Sequence, residues 1–219
     1  MTDVAAFDFD GTLTDGGSVL EFLVALRGRR RVLTATAALA PRLAHGAVVS
    51  GATADEAKQR LFVRTLAGES LARVEEVSGR FARHHLDRHL RPEVRERFDW
   101  HRRRGDRVVI VSASPEVYVE VAGELLGADG VVATRLAADE HGQLTGRYQG
   151  ANCRGEEKLR RLREWIGDRG PGPGRLWAYG NSRGDLRMLH AADAGFNVGR
   201  LGRFGRLHGF PGLAAGPPG

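Results

Sequence analysis

The stretch that decides the fold reads Val4-Ala5-Ala6-Phe7-Asp8-Phe9-Asp10-Gly11-Thr12-Leu13-Thr14. Residues 4–9 (VAAFDF) are a short apolar run ending in acidic residues and a glycine, the pattern of a buried parallel strand feeding a loop. Asp8 and Asp10 stand two apart, and on a regular strand positions i and i+2 share a face. At a strand's carboxyl end both side chains project into the crevice where open α/β sheets bind ligands. Gly11 lets the backbone turn sharply and brings its N–H close to an anion. One carboxylate is then able to attack phosphorus while the other protonates the leaving oxygen. Taken alone, the D-x-D-G string describes a strand-end turn with solvated acids equally well.

Downstream, the pattern turns helical from Ser18 to about Arg104. Val19, Phe22, Leu23 and Leu26 share one helical face; Leu71, Val74 and Phe81 share another, and Val94 and Phe98 a third. Pro41 and Pro92 mark helix boundaries. The run RVVIV (107–111) is β-branched and continuous, so it reads as a strand, with Pro115 placed for a first helical turn. Val131 to Thr134 reads as a short strand, and Leu136 to Tyr148, centred near Gly142, as a hairpin. A helix follows over residues 156–166, then a GDRGPGPG loop. Strand 176–179, helix 185–190 and strand 194–198 complete the pattern, and the tail from Gly199 is expected to pack loosely. Strands alternating with helices imply an α/β fold with a mostly parallel, Rossmann-like sheet covered on both faces. The long helical block implies a cap inserted after the first strand, with residues 1–16 and 105–219 forming the core and 17–104 the cap.

Three further pieces bear on chemistry. Ser112-Ala113-Ser114 follows the RVVIV strand, where a hydroxyl and backbone N–H suit a phosphoryl oxygen; a lone serine there would usually be a helix N-cap. Lys158 stands near a helix start in NCRGEEKLRRL, where a single lysine is normally a surface residue. The strand LWAY leads into Gly180-Asn181-Ser182-Arg183-Gly184-Asp185, which offers Asn181 and Asp185 as oxygen ligands for Mg²⁺.

In this order and spacing the pieces resemble the haloacid dehalogenase superfamily, over nearly the whole chain. The helical insertion after the first motif is similar to the subfamily that includes phosphoserine phosphatases. VSASP, then TG-x-x-x-G-x-NC-x-G-x-x-K, then YG-x-S-x-x-D resembles its IB hydrolases, including bacterial phosphatidylglycerophosphate phosphatases. The resemblance implies a hydrolase core in which Asp8 is the nucleophile that forms an aspartyl-phosphate. Asp10 would be the general acid and then the base, and would offer its carbonyl to Mg²⁺. Gly11, Thr12, Ser112, Ala113 and Lys158 would hold the phosphoryl oxygens, and Asp8, Asp10, Asn181 and Asp185 the metal. Such a division suits phosphoryl transfer, in which positioning and charge stabilisation dominate. Two positions depart from the family. Asn181 stands where an acid is usual, and an amide oxygen ligates Mg²⁺ without adding charge. Where phosphoserine phosphatases carry a glutamate, this chain reads Asp15-Gly16-Gly17-Ser18, with Glu21 beyond, which counts against phosphoserine.

The bulk properties bound these readings. The 219 residues suffice for one α/β core and a modest insertion, and 42% apolar content can fill a real core. A net charge of +6 attracts phosphate in any form but specifies no partner. No nucleic acid is expected: the tail GRLGRFGRLHGF mixes arginine with aromatics but offers no identifiable stacking platform. A single cysteine, Cys153, excludes an internal disulfide and favours a reducing, cytoplasmic setting. MTDVAAFDFDG lacks a basic n-region, so no signal peptide is expected. The apolar stretch from Leu33 to Ala52 is interrupted by Pro41, Arg42 and His45, and does not qualify as a membrane span. It could meet an acyl chain or an anionic membrane surface instead. The expectation is therefore Mg²⁺-dependent hydrolysis of a phosphate monoester, with a lipid phosphate as preferred substrate class. The rivals are phosphoserine or another small metabolite, and a catalytically weak phosphate- or lipid-binding module. His85 and His89 in HHLDRH have metal-binding helical spacing, but no glutamate stands in a zincin arrangement, and the segment reads as a solvated cap helix. Cys153, beside Arg154, reads as a packing residue, and Arg102 to Arg104 as a solvated helix end.

Overall fold

A computed structural model describes residues 2–39, 51–167, 174–198 and 209–213. Strand β1 (Val4–Phe7) is followed by helices α1 (Ser18–Arg27), α2 (Arg29–Ala37), α3 (Gly51–Leu66), α4 (Leu71–His89) and α5 (Pro92–Arg104). Then come β2 (Arg107–Pro115), α6 (Glu116–Leu126), β3 (Gly130–Thr134), β4 (Leu136–Ala138), β5 (Leu144–Tyr148) and α7 (Glu156–Gly167). The chain continues through β6 (Leu176–Gly180), a 3₁₀ turn (Arg183–Asp185), α8 (Leu186–Ala191) and β7 (Ala194–Asn197). Strands β3-β2-β1-β6-β7 form a parallel sheet in that order, while β4 and β5 pair antiparallel. The fold is thus α/β, a Rossmann-like sheet with a helical cap inserted after the first strand.

Period-two alternation divides the sheet's side chains between two cores. Ala5, Phe7, Val108 and Ile110 face one side and join Phe22, Phe81 and Tyr118 of the helices above them. Val4, Ala6, Val109 and Val111 face the other and meet Leu162, Trp165 and Met188. β1 is covered on both faces, which is why its sequence is a continuous apolar run. The expected helical faces are realised: Phe22, Leu23 and Leu26 are buried, as are Val74, Phe81, Val94 and Phe98. Pro92 is the first residue of α5, where its missing N–H costs nothing.

The antiparallel hairpin supports α3. Gly146, at φ +72°, lies so close that a Cβ there would come within 2.6 Å of the Phe62 carbonyl oxygen, so only glycine permits this approach. Helix α5 packs on the sheet: Phe98 meets Phe7 with ring centroids 5.2 Å apart. Arg104, expected at a solvated helix end, lies over Trp100 at 4.5 Å from its centroid.

Differences from the sequence reading have local causes. β1 ends at Phe7, because the turn formed by Thr12 N–H and Thr14 N–H on the Phe9 carbonyl begins immediately afterwards. β2 runs on through Pro115, pairing with Thr134 across a register shift. The described part of the tail is anchored: Asn197 N–H donates to the Pro211 carbonyl at 2.9 Å, and Phe210 packs on the second core. Pro41, Arg42, His45 and most of the GDRGPGPG loop lie outside the described residues.

A buried polar chain ties α5 to the sheet. His101 Nδ1 is 2.7 Å from Asp106 Oδ2, and its Nε2 is 2.8 Å from the Tyr179 hydroxyl. Burial lowers the imidazole's pKa, against the raising pull of Asp106 and with Arg104 and Arg97 adding to the fall. The unfolded chain therefore takes up a proton near pH 6.5 that the folded one refuses, so this group's contribution to stability declines as pH falls below about 6.5. Replacing His101 with Asn should cost less stability at pH 5 than at pH 8, measured as urea midpoints. An equal cost at both values would mean that His101 is not held neutral.

Candidate active site

Asp8 follows β1 directly, and its N–H still donates to the Tyr179 carbonyl of β6 at 2.9 Å. That bond carries the strand direction one residue further and points the carboxylate out of the sheet's carboxyl end. The loop then curls back, with Leu13 N–H on the Asp8 carbonyl at 3.3 Å and Gly11 N–H on the Gly16 carbonyl at 3.1 Å. Gly11 has φ +76°, and a Cβ there would collide with the Asn181 side-chain amide. The loop between β1 and α1 and the loop after β6 are in contact for that reason. Asp8 is buried, and Thr12 Oγ1 donates to its Oδ2 at 2.9 Å.

Lys158 lies in the first turn of α7 and is almost wholly buried. Its Nζ donates to Asp8 Oδ1 at 2.7 Å and to Asp185 Oδ1 at 2.5 Å. The other Asp185 oxygen accepts from Asn181 N–H at 3.2 Å, Ser182 N–H at 3.0 Å and Ser182 Oγ at 2.7 Å. Two carboxylates thus share one ammonium. Burial and then the Asp185 charge push Asp8 up to about 7, against the lowering pull of Lys158. Burial alone would lower the Lys158 ammonium, but the Asp185 and Asp8 carboxylates outweigh it and hold the group above its ordinary value. The floor of the site is a desolvated charge cluster, held by partners on every side.

Asp10 is fixed differently. Its Oδ1 accepts from Ser18 N–H at 2.6 Å, and its Oδ2 accepts from Ser114 Oγ. Ser18 Oγ is in turn hydrogen-bonded to the Tyr118 hydroxyl at 2.8 Å. Ser112 is buried at the end of β2, where its Oγ accepts from Ser114 N–H at 3.0 Å. Asp8, Asp10, Ser112, Ala113, Lys158, Asn181 and Asp185 line one cavity of about 230 Å³, together with Arg154, Ser182 and Gly184. Gly11 and Thr12 stand in the loop beside it. The residues of the four motifs are therefore gathered at one end of the sheet. A larger groove beside Glu116, Arg135 and Trp165 lies away from this chemistry.

Asp8, Asp10, Asn181 and Asp185, which line the cavity together, all carry side-chain oxygens. Such a set fits a hard divalent cation.

Sequence reasoning missed Lys58. This half-buried α3 residue reaches the site from the cap, donating from Nζ to the Ala113 carbonyl at 2.7 Å. Burial lowers its ammonium to about 8, opposed by Asp10 and Asp55. Asp55, one turn earlier, accepts from Asn152 Nδ2 at 2.9 Å. A lone lysine in a polar helix carries no local signal, and only the folded cap brings it to the motifs. Ser114 was in view but not assigned, since its partner Asp10 is distant in sequence. Cys153 is a packing residue as expected; burial pushes its thiol up to about 11, so it stays protonated. The solvated reading of the histidine helix fails at His85, which is buried.

A parallel α/β sheet with carboxylates and a buried lysine at its carboxyl end defines a hydrolase-type crevice. The model of the haloacid dehalogenase-like hydrolase family matches residues 5–190, and the chain belongs to that family. Protein CicA of Caulobacter vibrioides is 36% identical over 193 residues, covering 87% of this chain and 83% of the relative. A histidinol-phosphatase of Neisseria meningitidis serogroup C is 25% identical over 192 residues, covering 86% of each. Among solved structures, a Bordetella pertussis Tohama I protein of unknown function superimposes with a TM-score of 0.82 at 20% identity, over 99% of this chain and 100% of its own. A substrate-bound phosphoserine phosphatase gives 0.68 at 19% identity, over 98% and 94% respectively, a likeness of fold. The chain is an enzyme of a hydrolase family whose relatives include phosphatases.

Proposed function

We propose that this chain is a Mg²⁺-dependent phosphatase acting through a phospho-aspartate on Asp8. The observation that carries the reading is the ammonium of Lys158 held between Asp8 and Asp185 at the floor of the cavity that Ser112 and Asp10 also line. Asp8 attacks phosphorus, the bond to the ester oxygen breaks, and Asp10 gives that oxygen a proton. Asp10 then takes a proton from water, whose oxygen attacks the phosphorus and releases Asp8 and inorganic phosphate. Lys158, Ser112 and the backbone at Ala113 hold the phosphoryl oxygens; Gly11 and Thr12, expected to share that role, have their N–H groups engaged by the Gly16 and Phe9 carbonyls and shape the loop instead. Asp8, Asp10, Asn181 and Asp185 would hold Mg²⁺, which when bound supplies positive charge to those oxygens. The expected division into a core of 1–16 and 105–219 and a cap of 17–104 shifts by one helix, because α5 packs on β1 through Phe98 and Phe7 and so belongs with the core.

Two substrate classes have support. The small cavity with Lys58 and Arg154 beside it suits a compact, anionic, soluble phosphate, in keeping with the histidinol-phosphatase relative. A lipid phosphate, as handled by the IB phosphatases the motifs resemble, is favoured by Leu20 and Leu33, which are 50% and 63% exposed on α1 and α2 near Arg29 to Arg31. No helix among the described residues is long and apolar enough to cross a membrane. The lipid reading takes the chain to be cytoplasmic and in peripheral contact with an anionic surface. The cavity favours the soluble class.

The test is phosphate release from nitrophenyl phosphate, phosphoserine, histidinol phosphate and phosphatidylglycerophosphate, each with and without Mg²⁺. Mg²⁺-dependent release from at least one is expected, and no release from any of them overturns the reading. In the same assay Asn181→Asp adds a charged ligand and should lower the Mg²⁺ concentration for half-maximal activity. An unchanged or higher value would remove Asn181 from the metal's ligands.

A further inference from the structure

The helix histidines have partners that the sequence concealed. Glu21 of α1 lies against His85 and His89 of α4, and the ligand atoms of the three residues are all within 4.8 Å of one another. Glu21 Oε2 is 2.9 Å from His85 Nδ1, and Glu21 Oε1 is 3.6 Å from His89 Nε2. The remaining His89 nitrogen, Nδ1, is 2.7 Å from Asp15 Oδ1. We infer that Glu21, His85 and His89 form a binding site for a Zn²⁺-class divalent ion, distinct from the Asp8 cavity, with Asp15 orienting His89.

The chemistry matches at each position. Two imidazoles and a carboxylate suit borderline ions such as Zn²⁺, whereas the oxygen wall of the Asp8 cavity suits Mg²⁺. Zinc-to-ligand distances of about 2.0–2.2 Å put neighbouring ligands roughly 3–3.5 Å apart, close to the two spacings already present. With an ion bound, His89 Nδ1–H would donate to Asp15 and leave the Nε2 lone pair for the ion; Asp15 is then the outer-shell carboxylate that metal-bound histidines commonly have. His85 is fixed by packing, with its ring 5.3 Å from Phe81 and 6.0 Å from Phe9. Glu21 and the quarter-exposed His89 face solvent and leave a way in for the ion.

The place gives the ion a role. The chain leaves the core through residues 10–17 and returns through residues 89–92, and these crossings are bonded to each other. Asp15 N–H donates to the His89 carbonyl, and Arg91 N–H to the Leu13 carbonyl, each at 2.9 Å. An ion on Glu21, His85 and His89 fastens α1 to α4 where the cap joins the core, and so stiffens the cap's base without entering the reaction.

The experiment is a ZnCl₂ titration of tag-free, metal-stripped full-length protein in excess MgCl₂, read by competition with a chromogenic chelator. One Zn²⁺ per chain is expected, for wild type and for Asp8→Asn alike. His89→Ala and Glu21→Gln alter partly exposed side chains and should weaken binding by about 100-fold or more; Asp15→Asn should weaken it by about 10- to 100-fold. Zn²⁺ should raise the thermal midpoint of the wild type and leave that of His89→Ala unmoved. Absence of binding in excess Mg²⁺, or equal binding by wild type and a correctly folded His89→Ala variant, overturns the site. Neither result bears on the phosphatase reading, because neither measures turnover.

Discussion

Asp8→Asn is expected to lower phosphate release by roughly four orders of magnitude or more, the scale on which losing a covalent nucleophile acts. The amide keeps the size of the carboxylate and can still accept from Thr12 Oγ1, but it brings no negative charge to attack phosphorus. The fold should survive, and stability should rise. Burial and Asp185 push Asp8 up to about 7, well above an unfolded value near 3.8. With the folded pKa above the unfolded one, stability falls as pH rises across that window, and at pH 8 the ionised carboxylate is a net cost in the metal-free protein. The variant should therefore match or exceed the parent in a urea titration at pH 8 without Mg²⁺, while the two converge near pH 4. Wild type quenched in acid during turnover should carry covalent phosphate, and the variant none. Hydrolysis at the parental rate by a purified, folded variant would end the covalent mechanism assigned to Asp8. Sites that concentrate like charge for catalysis commonly cost stability in this way.

How much of this was legible depended on whether a residue's partner was local. The apolar VAAF and β-branched RVVIV runs announced strands because each is buried on both faces, and burial on both faces leaves no polar alternation to misread. The cap helices were legible from their stripes, since Phe22, Leu23 and Leu26 pack on one side. The site residues were legible only as a set. Lys158 is an ordinary helical lysine until its spacing from the TG and NC motifs is noticed, and its burial between two aspartates 150 and 27 residues away is a property of the sheet topology. Lys58, Ser114 and Glu21 were silent for the same reason. Each acts on a partner distant in sequence: cap packing brings Lys58 to Ala113 and Glu21 to the α4 histidines, and the pairing of β1 with β2 brings Ser114 to Asp10. The histidine pair was read as solvated because a helical wheel shows which residues share a face but not what another helix lays on it. The tail misled in the opposite sense, its glycines and arginines hiding a short segment that pairs beside β7.

Lys158→Met should be the most damaging single change to the fold of the site. Methionine fills nearly the same length and removes the charge, leaving Asp8 and Asp185 buried side by side without their shared cation. Breaking a buried ion pair from one side typically costs about 3–5 kcal/mol, because the orphaned charge stays desolvated. The loss should depend on pH in a defined direction. Without the lowering pull of Lys158, Asp8 is raised further, so the variant's deficit should be small at pH 4, where the carboxyl is largely protonated in the folded chain, and should grow toward pH 8 as the buried group is forced to ionise. Two controls separate charge from packing. Mg²⁺, bound by the same carboxylates, should recover part of the lost stability by mass action on the folded state. Asp8→Asn placed in the Lys158→Met background should recover more, since it removes one of the two opposed charges, yet it should restore no turnover. Urea midpoints for the four combinations at pH 4 and pH 8 give the coupling energy between the two residues directly. If the deficit is the same at both pH values and the second substitution does not relieve it, the lysine is holding the site by its shape, and its ammonium is not what keeps Asp8 and Asp185 together.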